Sequence, residues 1–85
     1  MARKSNYDGL RLLLESLDQS RISMAFSDIE RVIGRKLPQT AYARNQWWEN
    51  NDDGHTQAKA WLNAGWHVSH LILGKQVTFT KNSDE

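Results

Sequence analysis

The stretch AKAWLNAGWHVSHLILGKQVTFTK, residues 58–81, decides the fold class because its hydrophobic period changes halfway along. Ala58, Trp61 and Leu62 recur at helical spacing, and Gly65 follows as a residue that readily takes the left-handed conformation of a helix end. Beyond this glycine, WHVSHLIL and QVTFTK alternate with a period of two. The stretch therefore predicts a helix followed by a C-terminal β-hairpin.

The predicted hairpin has one apolar face and a tight turn. Val77 and Phe79 share a face of the second strand, so this face is expected to pack on the core. The Gly74-Lys75 pair fits a two-residue turn with glycine at its first position.

An amphipathic helix and a short strand are predicted near the start. In YDGLRLLLESLDQS, residues 7–20, leucines recur at helical spacing while acids and an arginine take the opposite side. Asp8 can cap this helix, and Gly9 falls in its first turn, where it is expected to weaken only the helix end. ISMAF, residues 22–26, alternates enough to form a brief strand.

Two helices separated by a short connection follow. The first is SDIERVIG, residues 27–34, in which Ser27 and Glu30 have the spacing of a capping box and a glycine ends the helix. The second is PQTAYARNQWWEN, residues 38–50, whose proline suits the first helical position.

The predicted fold class is therefore α+β: a helix-rich small domain with a helix-turn-helix-like pair and a C-terminal β-hairpin, which is winged-helix-like. One compact domain is expected over residues 7–81, with flexible tails at residues 1–6 and 82–85.

Composition narrows the function classes. The 85 residues include no cysteine, which argues against disulfides and thiolate chemistry and fits a reducing cytoplasm. No apolar run approaches the roughly 20 residues that span a bilayer, and no signal sequence is visible, so a soluble cytoplasmic protein without a membrane partner is expected. The formal net charge of +1 neither requires nor forbids a polyanionic partner.

All four tryptophans lie within residues 45–68. Because so small a domain has to bury most of its large apolar side chains, Trp48, Trp61 and Trp66 are assigned to the core. Trp47 precedes Trp48 on the same predicted helix and points roughly 100° away from it. Trp47 is thus the tryptophan expected to be partly exposed, either as a protein-contact candidate or as a cover for the end of the hairpin.

Three histidines and a pair of acids suggest metal or hydrolytic chemistry. His67 and His70 are three apart on a predicted strand and are expected on opposite faces, which disfavours a shared ion, and His55 lies in another segment. Asp52 and Asp53 precede a glycine, a pattern more typical of a turn or cap than of a nuclease. No glycine-framed serine and no phosphate-cradling loop occurs. We expect no enzyme activity, no metal and no cofactor.

The outer side of the 38–50 helix carries side chains that can read duplex DNA. Arginine matches guanine, and asparagine or glutamine matches adenine, while basic residues of the connection and the hairpin turn can meet phosphates. The candidate DNA-binding residues are Gln39, Thr40, Arg44, Asn45, Gln46, Arg35, Lys36 and Lys75. The acidic ENNDD stretch would oppose such binding if it lay beside this helix. The first hypothesis is a small DNA-binding regulator with the hairpin as its wing, expected to act as a homodimer on half-sites.

The second hypothesis is a protein-interaction module. It docks on a larger bacterial protein through Trp47 and the ENNDDGH loop, residues 49–55, and modulates that protein. Because an aromatic anchor does not release counterions, its binding should depend little on salt, whereas binding to DNA should weaken steeply.

Three segments resemble those of an uncharacterised family of small bacterial and phage domains. FSDIERVIGRKLP is similar to its F-x-x-I-E-x-x-x-G-x-x-L-P segment, WWEN to its W-W-x-N segment, and QAKAWLNAGW to its Q-A-x-A-W-L-x-A-G-W segment. The similarity spans residues 7–80. The resemblance implies one compact domain and a shared origin for the tryptophan pattern, and it brings no established activity.

Overall fold

The computed structural model describes residues 7–51 and 56–82. Its elements are α1 (Asp8–Ser16), β1 (Arg21–Ala25), α2 (Phe26–Ile33), α3 (Gln39–Ala43), the 3-10 helix η1 (Asn45–Trp48), α4 (Thr56–Asn63), β2 (Trp66–Ile72) and β3 (Gln76–Lys81). The predicted α+β class and the C-terminal hairpin are confirmed. No helix formed by the described residues is long and apolar enough to cross a membrane.

The three strands form one antiparallel sheet in the order β1-β3-β2, so the first strand pairs with the last. Across β1 and β3, Ile22 lies opposite Phe79, and Met24 lies opposite Val77. Val77 and Phe79 are fully buried, as their alternation predicts. One face of the sheet therefore packs on the helices, and the alternate positions form a second, largely polar face.

A bulge interrupts the pairing of β2 with β3, because Ser69 is an extra residue on β2. His67 pairs with Thr80 and His70 pairs with Thr78, and these two threonines lie on one face of β3. The two histidines therefore share a face, so the expectation that they lie on opposite faces is wrong. Among the described residues, no group of three or more histidine and acidic side chains could hold a metal ion.

The hairpin turn differs from its prediction by one position. The Lys75 N–H donates to the Ile72 carbonyl at 2.9 Å, which makes Leu73 and Gly74 the central residues. Gly74 has a φ of +81°, the left-handed value that some turns require at their second central position. Glycine thus occupies the second position of the turn, and the predicted Gly74-Lys75 pair is wrong.

The start of α2 also differs from its prediction. The Ala25 N–H donates to Oδ2 of Asp28 at 3.2 Å, so this pair makes the capping contact predicted for Ser27 and Glu30. Gly34, with a φ of +77°, ends the helix as expected. The Glu30 carboxylate is thereby left to reach other elements.

Helix α1 packs closely against α2 at Gly9. A Cβ at this position would lie 2.4 Å from the Val32 carbonyl oxygen, a distance that no side chain tolerates without movement of the backbone. Gly9 is therefore a packing residue, and the expectation that it only weakens the helix end is wrong. Asp8 is the first helical residue rather than the cap, and Leu10 and Leu14 fill the core from the same helix.

Aromatic rings join the helices to the sheet. Trp48, Trp61 and Trp66 are 2%, 0% and 0% exposed, which confirms their assignment to the core. The rings of Trp48 and Trp61 stack with centroids 5.9 Å apart, and Trp61 also meets Phe79 of β3 at 5.6 Å.

Candidate nucleic-acid interface

The eight predicted DNA-binding residues are all exposed, and they lie on four segments. Arg35 and Lys36 belong to the connection that follows α2. Gln39 and Thr40 form the first turn of α3, and Lys75 belongs to the hairpin turn. The remaining three, Arg44, Asn45 and Gln46, follow α3.

The predicted continuous helix over residues 38–50 is wrong. Helix α3 ends at Ala43, Arg44 takes an extended conformation with φ −133° and ψ 129°, and η1 begins at Asn45. Pro38 precedes α3 as its cap residue instead of starting it.

The break in this helix follows from the position of Trp48. In an unbroken helix, Trp48 would lie about 10 Å along the axis from Ala41, given a rise of 1.5 Å per residue. In the structure, the Trp48 indole N–H instead donates to the Ala41 carbonyl at 2.8 Å inside the core. Burial of the indole with a satisfied N–H thus folds the chain back at Arg44.

The break also separates two of the predicted DNA-binding residues from those on α3. Asn45 lines a groove beside β2, and Gln46 lies on the same 3-10 helix. Gln39 and Thr40 lie on α3. The structure therefore does not place all the predicted base-reading side chains on one helix face.

Glu30 connects α2 to the chain that follows it. Its Oε2 accepts the Leu37 N–H at 2.9 Å and the Tyr42 O–H at 2.8 Å. The bond from the Leu37 N–H, followed by that from Tyr42, holds the pKa of Glu30 below its usual value. The hydrogen bond between Tyr42 and Glu30 also raises the pKa of Tyr42. Because Glu30 and Tyr42 are 12 residues apart on different helices, no local spacing rule predicts this contact.

The hairpin turn packs against the start of α2 and the end of α3. The Phe26 N–H donates to the Lys75 carbonyl at 3.0 Å, and the Phe26 and Tyr42 rings meet edge to face with centroids 5.1 Å apart. Gly74 lies beside the Tyr42 carbonyl oxygen, which would be 4.0 Å from a Cβ at this glycine. These contacts bring the turn to α3, although 30 residues of sequence separate them.

We call the cations around Tyr42, namely Lys36, Arg44 and Lys75, the basic corner. All three are exposed. The salt bridges found among the described residues use Arg11 and Arg31 and none of these three cations. None of the three therefore forms a salt bridge within residues 7–51 and 56–82, while Lys36 lies near the Glu30 carboxylate, whose lowered pKa it supports after the hydrogen bonds from Leu37 and Tyr42.

Arg35 lies on the side of the connection that faces α1. Burial raises the pKa of Tyr7, and the nearby charge of Arg35 partly offsets this rise. Arg35 is therefore close to the start of α1, and we do not count it in the basic corner.

The side chain of Asn50 clamps the outer edge of β2. Its Nδ2 donates to the Val68 carbonyl at 2.9 Å, and its Oδ1 accepts the Val68 N–H at 2.8 Å. The same oxygen accepts the buried Trp61 indole N–H at 3.0 Å. Asn50 therefore ties the chain after η1 to both β2 and α4, a structural role that its place in a polar loop did not indicate.

Trp47 is half-buried. Its ring meets Trp48 at 4.7 Å and Tyr7 at 5.8 Å, both edge to face, and its carbonyl accepts the Gln57 side-chain amide at 3.1 Å. It therefore packs toward the start of α1. Of the loop predicted to dock with it, residues 52–55, which include Asp52, Asp53 and His55, lie outside the described residues.

Comparison with known proteins gives a family match. A family model described as Domain of unknown function (DUF7662) matches residues 7–83. No curated protein and no solved structure matches the chain.

Proposed function

Since the chain belongs to the DUF7662 family, whose function is unknown, we propose from its structure alone that it is a non-catalytic module that binds duplex DNA through the basic corner and the first turn of α3. Candidate DNA contacts are Gln39, Thr40, Lys36, Arg44 and Lys75.

The observation that carries this proposal is the packing of the hairpin turn against α3. Through the contacts of Phe26 with Lys75 and Tyr42, the segments that carry Arg44 and Lys75 pack together at one corner. Convergent cations attract phosphates because each neutralised phosphate releases condensed counterions. The Glu30 carboxylate, which accepts two hydrogen bonds beside this corner, keeps its negative charge, and the three cations outnumber it.

The connectivity supports the same function. Winged-helix domains begin with a helix and a first strand, continue with further helices, and end with a hairpin whose last strand pairs with the first strand. The elements of this chain have the same order and the same strand pairing. In helix-turn-helix proteins, residues near the start of the recognition helix contact base edges. Gln39 and Thr40 occupy that position on α3 and are exposed.

Helix α4 is less suited to reading bases, although it directly precedes β2. Its Gln57, Ala58, Ala60 and Trp61 are buried. Of residues 57–63 only Lys59 and Asn63 are exposed, which leaves few side chains for contacts with base edges. The short α3, of which only Ala41 is buried, is therefore the better candidate.

The biological setting follows from this activity. A DNA partner would place the protein in the bacterial cytoplasm, as a small regulator encoded by a bacterium or a phage. Acting on two half-sites would require a homodimer. Docking on a larger protein through Trp47 has less support, since that ring already packs against two others.

The proposal is tested by fluorescence anisotropy with a labelled mixed-sequence duplex of about two helical turns, at about 50 and 200 mM salt. We expect saturable binding that weakens steeply between these salt concentrations. Arg44→Ala and Lys75→Ala should each weaken binding and reduce the log–log salt slope by about 1. Lys59→Ala is the matched control, because Lys59 is an exposed cation on α4, a helix that contributes no residue to the basic corner.

Two results would overturn the proposal. One is no saturable binding at the lower salt concentration. The other is a loss of affinity in Lys59→Ala equal to that in Arg44→Ala, which would point to nonspecific attraction spread over the whole surface. Circular dichroism of each variant verifies that the fold is intact.

A further inference from the structure

A second binding surface lies along the outer edge of β2. We propose that this edge and the groove beside it bind an extended peptide that carries a basic side chain, and that the peptide adds as a fourth strand. This surface is formed by η1 and β2, so the inference is independent of DNA binding at the basic corner.

Strand β2 is at the border of the sheet, since the strand order is β1-β3-β2. An edge strand presents N–H and C=O groups on which another strand can form. Among the described residues, no backbone group bonds to the outer edge of residues 69–71. This part of the edge is therefore open to a partner within the structure as described.

The contacts of Asn50 show that the backbone N–H and C=O of Val68 point to the outer edge of β2. The Asn50 amide donates to the Val68 carbonyl and accepts the Val68 N–H, which is the pair of bonds that one residue of an adjacent strand would make. The amide thus takes the place of a partner strand at Val68. A peptide would continue from this point along Ser69, His70 and Leu71.

A groove of about 290 Å³ runs between η1 and this part of β2. Apolar lining comes from Trp48, Val68 and Leu71, and polar lining comes from Asn45, Glu49, Ser69 and His70. Side chains alternate along an extended peptide, so every second one would point toward the groove.

The charge of the groove selects the peptide. Glu49 is the one acid among its lining residues, and its carboxylate makes no salt bridge within the described residues. A lysine or arginine of the peptide would supply the opposite charge. An acidic peptide would instead be repelled.

The bulge at Ser69 disfavours a second copy of the chain as the occupant. Bulges twist an edge and limit regular pairing, a device that protects edges from self-association. Only a short stretch of β2 beyond Val68 can then pair. Such a length fits a short peptide better than a strand-to-strand dimer.

The proposal is tested by selecting from a phage-displayed library of random peptides of about ten residues, long enough to form a strand, against the full chain. Enriched peptides are then made with a fluorescent label, and their affinities are measured by anisotropy. We expect a lysine or arginine at a fixed place within an alternating stretch. Glu49→Lys should weaken binding by about tenfold or more, the range measured for close charge pairs across interfaces.

Asp18→Lys is the matched control, because it makes the same charge change at an exposed acid before β1 and should leave the affinity unchanged. Amide hydrogen exchange gives the readout that is specific for an added strand. On peptide binding, exchange should slow at one or more amides of residues 69–72.

Several outcomes would overturn the proposal: no enriched peptide, enriched peptides that are acidic, or equal affinities for Glu49→Lys and the parent. Exchange that slows elsewhere in the sheet but not at residues 69–72 would do the same. So would sedimentation showing a dimer whose protected amides are those of the β2 edge. If the protein fails to bind DNA but binds the peptide normally, only the proposal of DNA binding is refuted.

Discussion

Removal of the Asn50 side chain is expected to destabilise the domain by about 2–4 kcal/mol. In Asn50→Ala, the Trp61 indole N–H loses its acceptor inside the core, where Trp61 is 0% exposed. An unsatisfied buried donor costs about 1–3 kcal/mol. The two bonds to Val68 are at an exposed edge, where water can replace them, so each contributes at the lower end of roughly 0.5–1.5 kcal/mol.

Urea unfolding followed by tryptophan fluorescence measures this loss directly. A loss of this size shifts the midpoint by about 0.7–4 M, given a urea dependence of about 1–3 kcal/mol per molar for small proteins. Asn63→Ala is the control, because Asn63 is exposed on α4. A variant of Asn50 that unfolds within about 0.5 kcal/mol of the parent, as surface changes usually do, would refute the assigned role of its amide.

Three further changes test other contacts. Gly9→Ala should destabilise by roughly 1–3 kcal/mol, since its methyl group meets the Val32 carbonyl; greater stability in urea would contradict the close approach. Trp61→Phe should lose about 1–2 kcal/mol more than Trp66→Phe, because the Trp61 indole N–H has an acceptor and the buried Trp66 indole N–H has none within the described residues; equal urea midpoints would count against it. The lowered pKa of Glu30 stabilises the fold above the unfolded pKa of this carboxyl, and this stability disappears as the pH falls through the lower folded value. Glu30→Gln should therefore flatten the pH dependence of the unfolding midpoint between about pH 7 and pH 2, and an unchanged profile would refute this.

The secondary structure was largely predictable because burial imposes a period on each element. Val77 and Phe79 alternate with threonines, and both are buried on one face of the sheet. Leu10 and Leu14, four residues apart, are buried on one side of α1. These patterns arise within single elements, so they can be read from the sequence alone.

Features that depend on contacts between elements were not predictable in this way. The helix breaks at Arg44 because the Trp48 indole returns to Ala41, and no residue near the break is a strong helix breaker. Gly9 looks like a weak helix start, yet its role is set by Val32 on another helix.

The candidate DNA interface was likewise predictable only in part. Polarity alone was enough to predict that Gln39, Thr40 and Arg44 are exposed. Which exposed residues lie together depends on the docking of the hairpin turn, and this docking rests on the contacts of Phe26. The sequence could therefore supply candidate residues, whereas their grouping required the structure.

The segments that resemble a family signature mostly build the fold. Asn50 and Trp61 hold each other in place, and Glu30 joins α2 to the chain beyond it. By contrast, Lys36 of the basic corner and Glu49 of the β2 groove are exposed and take no part in the core. Both charges can therefore change without loss of the core contacts that hold the fold. Ligand preference is expected to follow these two charges, because residues that hold the core cannot change without loss of stability.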